Sequence, residues 1–578
     1  MKQEGSNERP WWSRYDRPAL RSILVLLIVG LILLLLILLQ PERRRTAAYS
    51  GCQKTASPTT VVRANLGQSE PVGALKIGDY FVQGQVIVTG PRAKIDELIG
   101  PSGTLTNLLK LEDCDLKYLG GLQGFGELAS QYFPFPPAVR NQLVMRLYEI
   151  MDAAPVETMV RRINTAGSKD YVFADTNYLT SLMANNPCGN PETIGGSPET
   201  IGGSPFTIGG STIVVTSSQG ISPTGLFWNQ WAFEHIGIGP SVQERVITDT
   251  GAGIWVGVFD TSPFDDTELP VGQSRAVTTS LSPALTLTAS HPVTVPALAL
   301  PLTPTTIISK GVSDHGLFVS GLVHAVAPSS TIHLFRVLNE YGCGDLFRLN
   351  DALHVFVSQV ISDRAKLDGA VINLSLGLRK PMTDTDALES LLTAVVTADE
   401  AGIVLVAAAG NDSWRKHNSE GSGLESTPLS AASPLAPQLP AAYPFVIGAA
   451  SSNVNRQRSC FSNWGDVYAP GGEGGPGTRN GVEVECAPKI RDCNGDCEYA
   501  LISVATDHPA GFGYWSGTSF AAPLVSGLAA LTLDAGVRGQ TWMPPNEVAW
   551  AIHCGTALGD GVINVPVTLV RCIGSGVR

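Results

Sequence analysis

A serine that could act as a nucleophile lies in the segment Gly517–Pro523, directly before a run of apolar residues with helical spacing. Gly517 permits a sharp turn, and the small residues after Phe520 allow close approach of neighbouring backbones. Ser519 is therefore expected at a helix N-terminus, where backbone N–H groups stabilise developing negative charge. Pro523 fits this interpretation if it falls in the first helical turn. The alternative is an ordinary helix cap, because serine is a favoured N-cap residue.

Two segments upstream carry groups that would activate such a serine. Asp260 ends an apolar run that is typical of a buried strand, and His315 lies in the expected first turn of a helix. An imidazole can take the hydroxyl proton near neutral pH, and a carboxylate can hold that imidazole in the correct tautomer. Taken alone, the carboxylate could cap a turn and the histidine could be a surface residue. Their order along the chain, with Ser519 last, favours a catalytic triad.

From about residue 226 to residue 578, the chain resembles the subtilisin-like serine proteases, which share this order of three residues. The resemblance implies an α/β, three-layer fold with a mostly parallel sheet, and an endopeptidase activity that proceeds through an acyl-enzyme intermediate. It also implies that Asn411 completes an oxyanion hole together with the backbone N–H of Ser519. The residues to which it assigns substrate binding are Ser375, Leu376, Gly377, Ala409 and Gly410.

Two features depart from the family pattern. Leu317 and Phe318 stand where the family usually has threonine and histidine, although both keep an apolar helix face. The interval between Asp260 and His315 is longer than in compact members. Its excess holds the Pro/Thr-rich stretch 281–306, which we expect to be a surface insertion. Neither departure removes a catalytic group.

Alternating strand and helix patterns support the expected fold. The pattern predicts a strand over 369–375, an amphipathic helix over 386–401 and a strand over 403–409. Such a βαβ unit implies a parallel sheet with helices on both faces. Open sheets of this kind place their sites at the carboxyl ends of strands. The candidates that follow predicted strands are Asp260, Ser375 and Asn411.

The N-terminal region predicts a membrane anchor. Ser22–Leu39 is uncharged and rich in Leu, Ile and Val, so residues 22–40 are long enough to span a bilayer as a helix. No small-residue cleavage site follows, which favours a retained anchor, with a cleaved signal peptide as the open alternative. The basic residues on the two sides nearly balance. Ten cysteines and the family resemblance place residues 1–21 in the cytoplasm and the catalytic part outside.

A second unit is expected between the anchor and the protease. After a juxtamembrane linker at 41–76, the strand and helix patterns of 77–185 predict a small α+β domain, which weakly resembles the subtilisin propeptides. As a propeptide it would inhibit its own protease; the alternative is a spacer. A repeat beginning at Pro191, Pro198 and Pro205 makes 186–224 a flexible linker, because proline and paired glycines exclude a helix.

Composition limits the remaining function classes. A net charge of −12 leaves no strong case for nucleic-acid binding. The chemistry requires no cofactor. Cys486, Cys493 and Cys497 lack the histidine partners of a zinc site, and the acidic residues among them lack the rest of a calcium-loop pattern. Structural calcium is known in the family, but no position in the sequence identifies a metal site.

The sequence thus predicts a membrane-anchored, extracytoplasmic serine endopeptidase that acts on polypeptides and cuts itself within 186–224. A sedolisin-type protease would carry glutamate where His315 stands, and a catalytically silent binding module on the same fold would not need the triad. Cleavage preference, disulfide pairing and oligomeric state stay open. The predicted units are a tail (1–21), an anchor (22–40), a linker (41–76), a propeptide-like domain (77–185), a repeat linker (186–224) and the peptidase domain (225–578).

Overall fold

The structure is a computed structural model. It describes residues 61–63, 80–99, 116–123, 136, 139, 142–150, 155–182, 222–239, 249–264, 268–278, 281–290, 313–338, 342–378, 388–411, 413, 434–472, 474–479, 482–488, 500–506, 511–538 and 543–573. The predicted anchor and residues 186–221 of the repeat linker lie outside these residues, and Pro223 and Thr224, which the sequence assigned to the linker, begin a helix of the larger domain.

The strands are numbered in chain order. They are β1 (Val61–Arg63), β2 (Tyr80–Pro91), β3 (Leu116–Gln123), β4 (Leu143–Ile150), β5 (Phe173–Leu182), β6 (Ile254–Asp260), β7 (Ser274–Thr278), β8 (Leu285–Ser290), β9 (Thr331–Arg336), β10 (Cys343–Asp345), β11 (Gly369–Leu374), β12 (Leu376–Leu378), β13 (Ile403–Ala408), β14 (Val446–Ser452), β15 (Val467–Pro470), β16 (Gly474–Arg479), β17 (Val482–Pro488), β18 (Leu501–Val504) and β19 (Phe512–Trp515).

The helices are numbered in the same way, and short 3-10 turns are left out. They are α1 (Arg92–Leu98), α2 (Val156–Gly167), α3 (Pro223–Trp228), α4 (Trp231–His235), α5 (His315–Val326), α6 (Leu346–Asp363), α7 (Glu389–Glu400), α8 (Thr518–Arg538), α9 (Pro545–Leu558) and α10 (Val565–Val567), which leads into a π-helical turn at Thr568–Ile573.

The larger domain is built on an eight-stranded sheet in the order β15-β14-β13-β11-β6-β9-β8-β7. All neighbours pair in parallel except β7 and β8, which are antiparallel. Helices α5 and α8 pack together on the sheet, and α6 and α7 form a second pair against it. The central strands β6, β11 and β13 are almost fully buried because layers of helices cover the sheet, whereas the edge strand β7 is largely exposed. The predicted α/β fold with a mostly parallel sheet is confirmed.

One segment predicted as a surface insertion is part of this sheet. Within the stretch 281–306, β8 pairs in parallel with β9, and Leu285 and Leu287 are fully buried. The pattern of apolar residues at alternate positions from Leu285 to Ala289 is typical of a half-buried strand. The surrounding Pro and Thr residues masked that signal, so the expectation of a surface insertion was wrong for 285–290.

The N-terminal domain is an antiparallel sheet covered by two helices. Its strands pair in the order β3-β4-β2-β5, and β1 also pairs with β2. Helices α1 and α2 close a separate apolar core through residues such as Ile95, Met159 and Ile163. After α2 the chain makes a short turn at Ser168–Asp170, and β5 begins at Phe173.

Strand β5 joins the two domains. Its first half pairs with β2, and its last residues lie antiparallel between β10 and β12 of the larger domain. Leu182 is opposite Leu376, and Ser181 is opposite Gly377. The strand therefore leaves its own sheet and occupies the groove beside Ser375, the residue that precedes β12.

Candidate active site

Asp260 ends β6 at the carboxyl edge of the sheet, as the sequence predicted. Its side chain is fully buried, and the backbone N–H of Thr261 donates to its Oδ1 at 2.7 Å. The neighbouring threonine also holds the next element in place. The backbone N–H of Gly316 donates to Thr261 Oγ1 at 3.1 Å, and that hydroxyl donates to the carbonyl of Ser313 at 2.9 Å.

His315 begins helix α5 and faces the carboxylate of Asp260. Its Nδ1 lies 2.8 Å from Oδ1 and 2.9 Å from Oδ2 of that residue, and its side chain is fully buried. Asp314 is the N-cap residue of this helix but makes no capping bond with its side chain. Instead, the backbone N–H and hydroxyl of Thr506 donate to the two oxygens of Asp314 at 2.9 and 2.6 Å.

Ser519 is the second residue of helix α8, which confirms its placement at a helix N-terminus. Pro523, however, lies inside this helix and not in its first turn, so that expectation was wrong. The helix begins at Thr518, one residue before Ser519. The segment after Gly517 turns directly into the helix, with the N–H of Phe520 donating to the Gly517 carbonyl at 3.0 Å.

The structure brings Asp260 and His315 into hydrogen-bond contact, but Ser519 does not bond to the imidazole. Ser519 Oγ donates to the backbone carbonyl of Ser375 at 3.2 Å. Within the described part of the chain, Nε2 of His315 has no hydrogen-bond partner. The side chains of His315 and Ser519 are both fully buried. Serine and histidine in resting sites are often not yet aligned for proton transfer.

Asn411 follows β13 and contacts the residue before the serine. Its Oδ1 accepts from both the backbone N–H and the hydroxyl of Thr518, each at 3.0 Å. These two bonds identify the oxygen of the side-chain amide and turn its Nδ2 to the other side. Gly410 before it has φ +112°, and a Cβ there would meet the Asn463 amide at 2.5 Å, so the turn into Asn411 requires glycine.

The remaining predicted substrate-binding residues lie in two places, in β12 and directly after β13. Leu376 and Gly377 lie in β12 and pair with the N-terminal domain's strand β5. Ala409 follows β13, and its carbonyl accepts from the backbone N–H of Gln438 at 2.9 Å and from Asn463 Nδ2 at 3.2 Å. Leu376 and Gly377 are therefore paired with an extended segment of the N-terminal domain. Ala409 is instead hydrogen-bonded to residues of its own domain.

Three aromatic residues enclose His315. The rings of Trp515 and Phe520 have centroids 5.0 and 5.1 Å from the imidazole, and Phe318 packs against both of these rings. All three are buried. Sequence reasoning noted Phe318 only as a departure from the family pattern. Its position one helical turn from His315 could have indicated the contact.

Two polar residues of β5 contact the starts of two helices in the larger domain, a role that sequence reasoning missed. Asp175 Oδ2 accepts from the backbone N–H of Ser390 at 2.7 Å, at the start of α7. Asn177 Oδ1 accepts from the backbone N–H of Phe347 at 3.1 Å, at the start of α6. Asp and Asn are typical capping residues, but here they cap helices more than a hundred residues away.

A second carboxylate lies beside this contact. Burial and the negative charge of Asp175 raise the pKa of Glu389 to about 7. Burial, with the charges of Asp175 and Glu389, also raises the pKa of Tyr443, whose hydroxyl lies 3.4 Å from the Leu388 carbonyl. The Oε2 atom of Glu389 is buried and makes no hydrogen bond to any residue that the structure describes.

Among the described residues, no group of His, Cys, Asp or Glu side chains is arranged to hold a metal ion. Cys493 and Cys497 lie outside those residues. In the same part of the chain, the one helix long and apolar enough to cross a membrane is Thr518–Val537, which is the buried core helix of the larger domain. The predicted anchor at 22–40 is not among the described residues.

Comparison with known proteins finds similarity to subtilisin-like proteases in the part of the chain that holds this site. A family model described as "Subtilase family" matches residues 303–559. Subtilisin-like protease 3 of Arthroderma benhamiae is 30% identical over 261 residues, which are 45% of this chain and 49% of that protein. Subtilisin of Bacillus pumilus is 29% identical over 272 residues, which are 44% of this chain and 76% of that protein.

These similarities cover only part of each protein. The chain spans about half the length of the fungal proteases it matches. The family match includes His315, Asn411 and Ser519, and it begins after Asp260. The contact of Asp260 with His315 therefore rests on the geometry of β6 and α5.

Proposed function

We propose that the chain is a subtilase, on the similarity reported above, and that it is a membrane-anchored, extracytoplasmic serine endopeptidase that processes itself. Asp260, His315 and Ser519 form its triad, and Asn411 contributes to its oxyanion hole. Residues 77–185 act as a propeptide that occupies the substrate groove.

The observation that carries the proposal is the position of β5. An extended segment of polypeptide lies antiparallel on β12, with Leu182 opposite Leu376, immediately beyond Ser375. Ser375 in turn contacts Ser519. Addition of a strand to an exposed sheet edge is a general way to bind peptide backbone without regard to its sequence. The groove is therefore suited to polypeptide substrates, and β5 occupies it as an inhibitor would.

The chemistry follows from the buried polar groups. Asp260 accepts the Nδ1 proton of His315, which leaves Nε2 as the basic nitrogen. Rotation about the Cα–Cβ bond of Ser519 exchanges the carbonyl of Ser375 for Nε2 as the acceptor of its hydroxyl proton. The hydroxyl oxygen then attacks the peptide carbonyl, and the imidazolium returns the proton to the leaving amine. Water hydrolyses the acyl-enzyme by the same steps.

The oxyanion of this reaction needs donors that are already in place. The Ser519 N–H lies in the first turn of α8, where backbone N–H groups have no partner within the helix. Asn411 Nδ2 is oriented by the two bonds that its Oδ1 accepts from Thr518. Fixed donors of this kind stabilise the transition state more than the ground state because they need no reorganisation when the charge develops.

The location outside the cytoplasm is supported by disulfide chemistry. Cys554 and Cys572 form a disulfide that ties α9 to the C-terminal turn, and Cys460 is also disulfide-bonded. Disulfides persist mainly in oxidising compartments. The uncharged stretch 22–40 then supplies the anchor.

A fluorophosphonate probe tests the proposal. The protein should be labelled at Ser519 and should hydrolyse an unstructured polypeptide such as casein. Ser519→Ala should abolish both signals, and His315→Ala and Asp260→Asn should lower turnover by orders of magnitude, because the three groups act as a unit. Folded protein without labelling or hydrolysis, even after residues 1–185 are removed by an added protease, would instead support a catalytically silent binding module.

A further inference from the structure

The serine at 519 carries a backbone carbonyl that its own helix cannot satisfy. In an α-helix, the N–H of each residue donates to the carbonyl four residues earlier. Pro523 has no N–H, so the carbonyl of Ser519 lacks the donor that any other residue at 523 would supply. Ser519 is fully buried, and a buried carbonyl without a donor is costly.

The hydroxyl of Ser375 supplies that donor. Ser375 Oγ lies 2.8 Å from the Ser519 carbonyl oxygen and donates to it. The backbone carbonyl of Ser375 in turn accepts from Ser519 Oγ at 3.2 Å. Two hydrogen bonds of opposite direction therefore join these residues, one through the backbone of Ser519 and one through its side chain.

A buried polar relay fixes the direction of the Ser375 hydroxyl. Asn373 Nδ2 donates to Ser375 Oγ at 2.9 Å, and Ser526 Oγ lies 3.0 Å from both Asn373 Oδ1 and the Ala522 carbonyl, between which it shares its proton. A hydroxyl carries one proton. Because the lone pair of Ser375 Oγ accepts from the amide, its proton is available for the Ser519 carbonyl. All of these side chains are fully buried, so water cannot replace a lost partner.

We propose that Ser375 is a positioning residue whose hydroxyl replaces the helix donor that Pro523 lacks, and so holds the backbone of Ser519 in its reactive orientation. This inference rests on the proposed role of Ser519 as nucleophile. It is distinct from substrate binding along β12, which uses backbone groups. The bond to the Ser519 carbonyl limits rotation of the first turn of α8, which also carries the N–H proposed for the oxyanion hole.

The expected signature is a fall in kcat with little change in KM. Ser375→Ala leaves the backbone of β12 in place for substrate but removes the hydroxyl. We expect kcat to fall roughly tenfold, as the loss of one buried hydrogen bond at a reacting group would give. Thr532→Val is the matched control, because Thr532 is buried in the same helix and its hydroxyl contacts only the helix's own Leu528 carbonyl at 2.8 Å. It should leave kcat and KM unchanged.

A double-mutant cycle with Pro523→Ala makes the test specific. An alanine at this position would provide an N–H for the Ser519 carbonyl. Ser375→Ala should therefore cost much less activity in the Pro523→Ala background than in the wild-type chain. Equal losses in the two backgrounds would overturn the inference. If the Pro523→Ala protein does not fold, the decision falls to Ser375→Ala alone: a loss confined to KM, or no loss, would overturn it.

These experiments distinguish a failure of the positioning role of Ser375 from a failure of the proposed protease function. A wild-type protein that shows no labelling at Ser519 contradicts the protease assignment itself. A wild-type protein that is active, with a Ser375→Ala variant of equal kcat and unchanged thermal unfolding, contradicts only the positioning role. A tenfold lower kcat with normal KM and full labelling stoichiometry at long times supports it.

Discussion

At the scale of single residues, the proposed nucleophile Ser519 and the proposed base His315 make no hydrogen bond to each other. Ser519 Oγ donates to the Ser375 carbonyl, while Nε2 of His315 makes no hydrogen bond to the described residues. The aromatic rings of Phe318, Trp515 and Phe520 exclude water from the imidazole. The imidazole is thus fixed by Asp260 on one edge and by apolar contacts around its ring, and only the serine has to rotate.

Asn411 gives a prediction at this scale. Asn411→Leu keeps the approximate volume but removes the proposed donor to the oxyanion. We expect kcat to fall about 10²–10³-fold with little change in KM, a magnitude known for the corresponding donor in subtilisin and taken from it. Steady-state kinetics on a peptide amide measure both constants. A loss seen only in KM would mean that Asn411 binds the ground state.

Sequence alone predicted the types and order of the site residues, and the placement of Asp260, Ser519 and Asn411 at element ends follows from local patterns. It did not predict the second role of Ser375. That role depends on Pro523 lying inside α8, whereas its expected position was the first helical turn. The hydrogen bond between Asn373 and Ser526 joins residues that are far apart in the chain, so it cannot be predicted from the local pattern of apolar residues.

At the scale of elements, β5 has two roles because it is long enough to belong to two sheets. Its first residues complete the N-terminal domain against β2, and its last residues pair with β10 and β12. Between these, Asp175 and Asn177 satisfy N–H groups at the starts of α7 and α6. The helix ends on the substrate side of the larger domain are therefore completed by the N-terminal domain. Such contacts would assist folding of the parallel sheet, whose non-local pairings form slowly.

The carboxylates of this interface predict a pH dependence. In the assembled form, Glu389 has a pKa raised to about 7 by burial and by Asp175. A separated larger domain would return this pKa towards the ordinary value of 4.5. The assembled form thus binds the proton more tightly, so its stability is fully present below the ordinary pKa and is lost as pH rises through about 7. The groups that face Glu389 are Asp175 from β5 and Tyr443 from the segment before β14.

We therefore expect the separated N-terminal domain to inhibit the enzyme more weakly at pH 8 than at pH 5, by about tenfold. Glu389→Gln should remove this dependence and tighten inhibition at pH 8. Asp399→Asn is the control, because Asp399 lies at the other end of α7, where burial raises its pKa to about 6. An inhibition constant that varies with pH equally in wild type and Glu389→Gln would contradict the assignment.

Prediction of the elements succeeded where periodicity was undisturbed. The strand and helix patterns of 369–409 correspond to β11, α7 and β13 within a few residues. It failed at β8, where Pro and Thr residues concealed a short strand that the sheet requires.

At the scale of the whole molecule, topology can be tested directly. If residues 22–40 are a retained anchor, a protease added to intact cells should digest the chain after Arg45 and spare the first twenty or so residues. Epitope tags at the two ends, followed by immunoblotting, would report this. Detergent-permeabilised cells, in which both tags should be lost, are the control. Protection of the C-terminal tag in intact cells would reverse the orientation.

Self-processing should cut the chain between the N-terminal domain and the catalytic domain, and so separate the catalytic domain from the anchor. Because Leu182 is already paired beside Ser375, we expect the first cut among the few peptide bonds that follow Leu182, with further trimming in the repeat linker. The reaction is intramolecular, so its rate should not depend on protein concentration. The wild-type chain should mature to a smaller form that leaves the membrane as the N-terminal domain dissociates. Ser519→Ala should remain full-length and membrane-bound.

N-terminal sequencing of the mature wild-type protein decides this prediction, with Thr532→Val as a variant that should process normally. Cleavage of Ser519→Ala at the same bond would show that another protease makes the cut. A fully active enzyme that retains residues 1–185 covalently would show that the N-terminal domain is a spacer. In that case β5 would have to leave the groove without being cut, because substrate needs the same edge of β12 that Leu182 and Ser181 occupy.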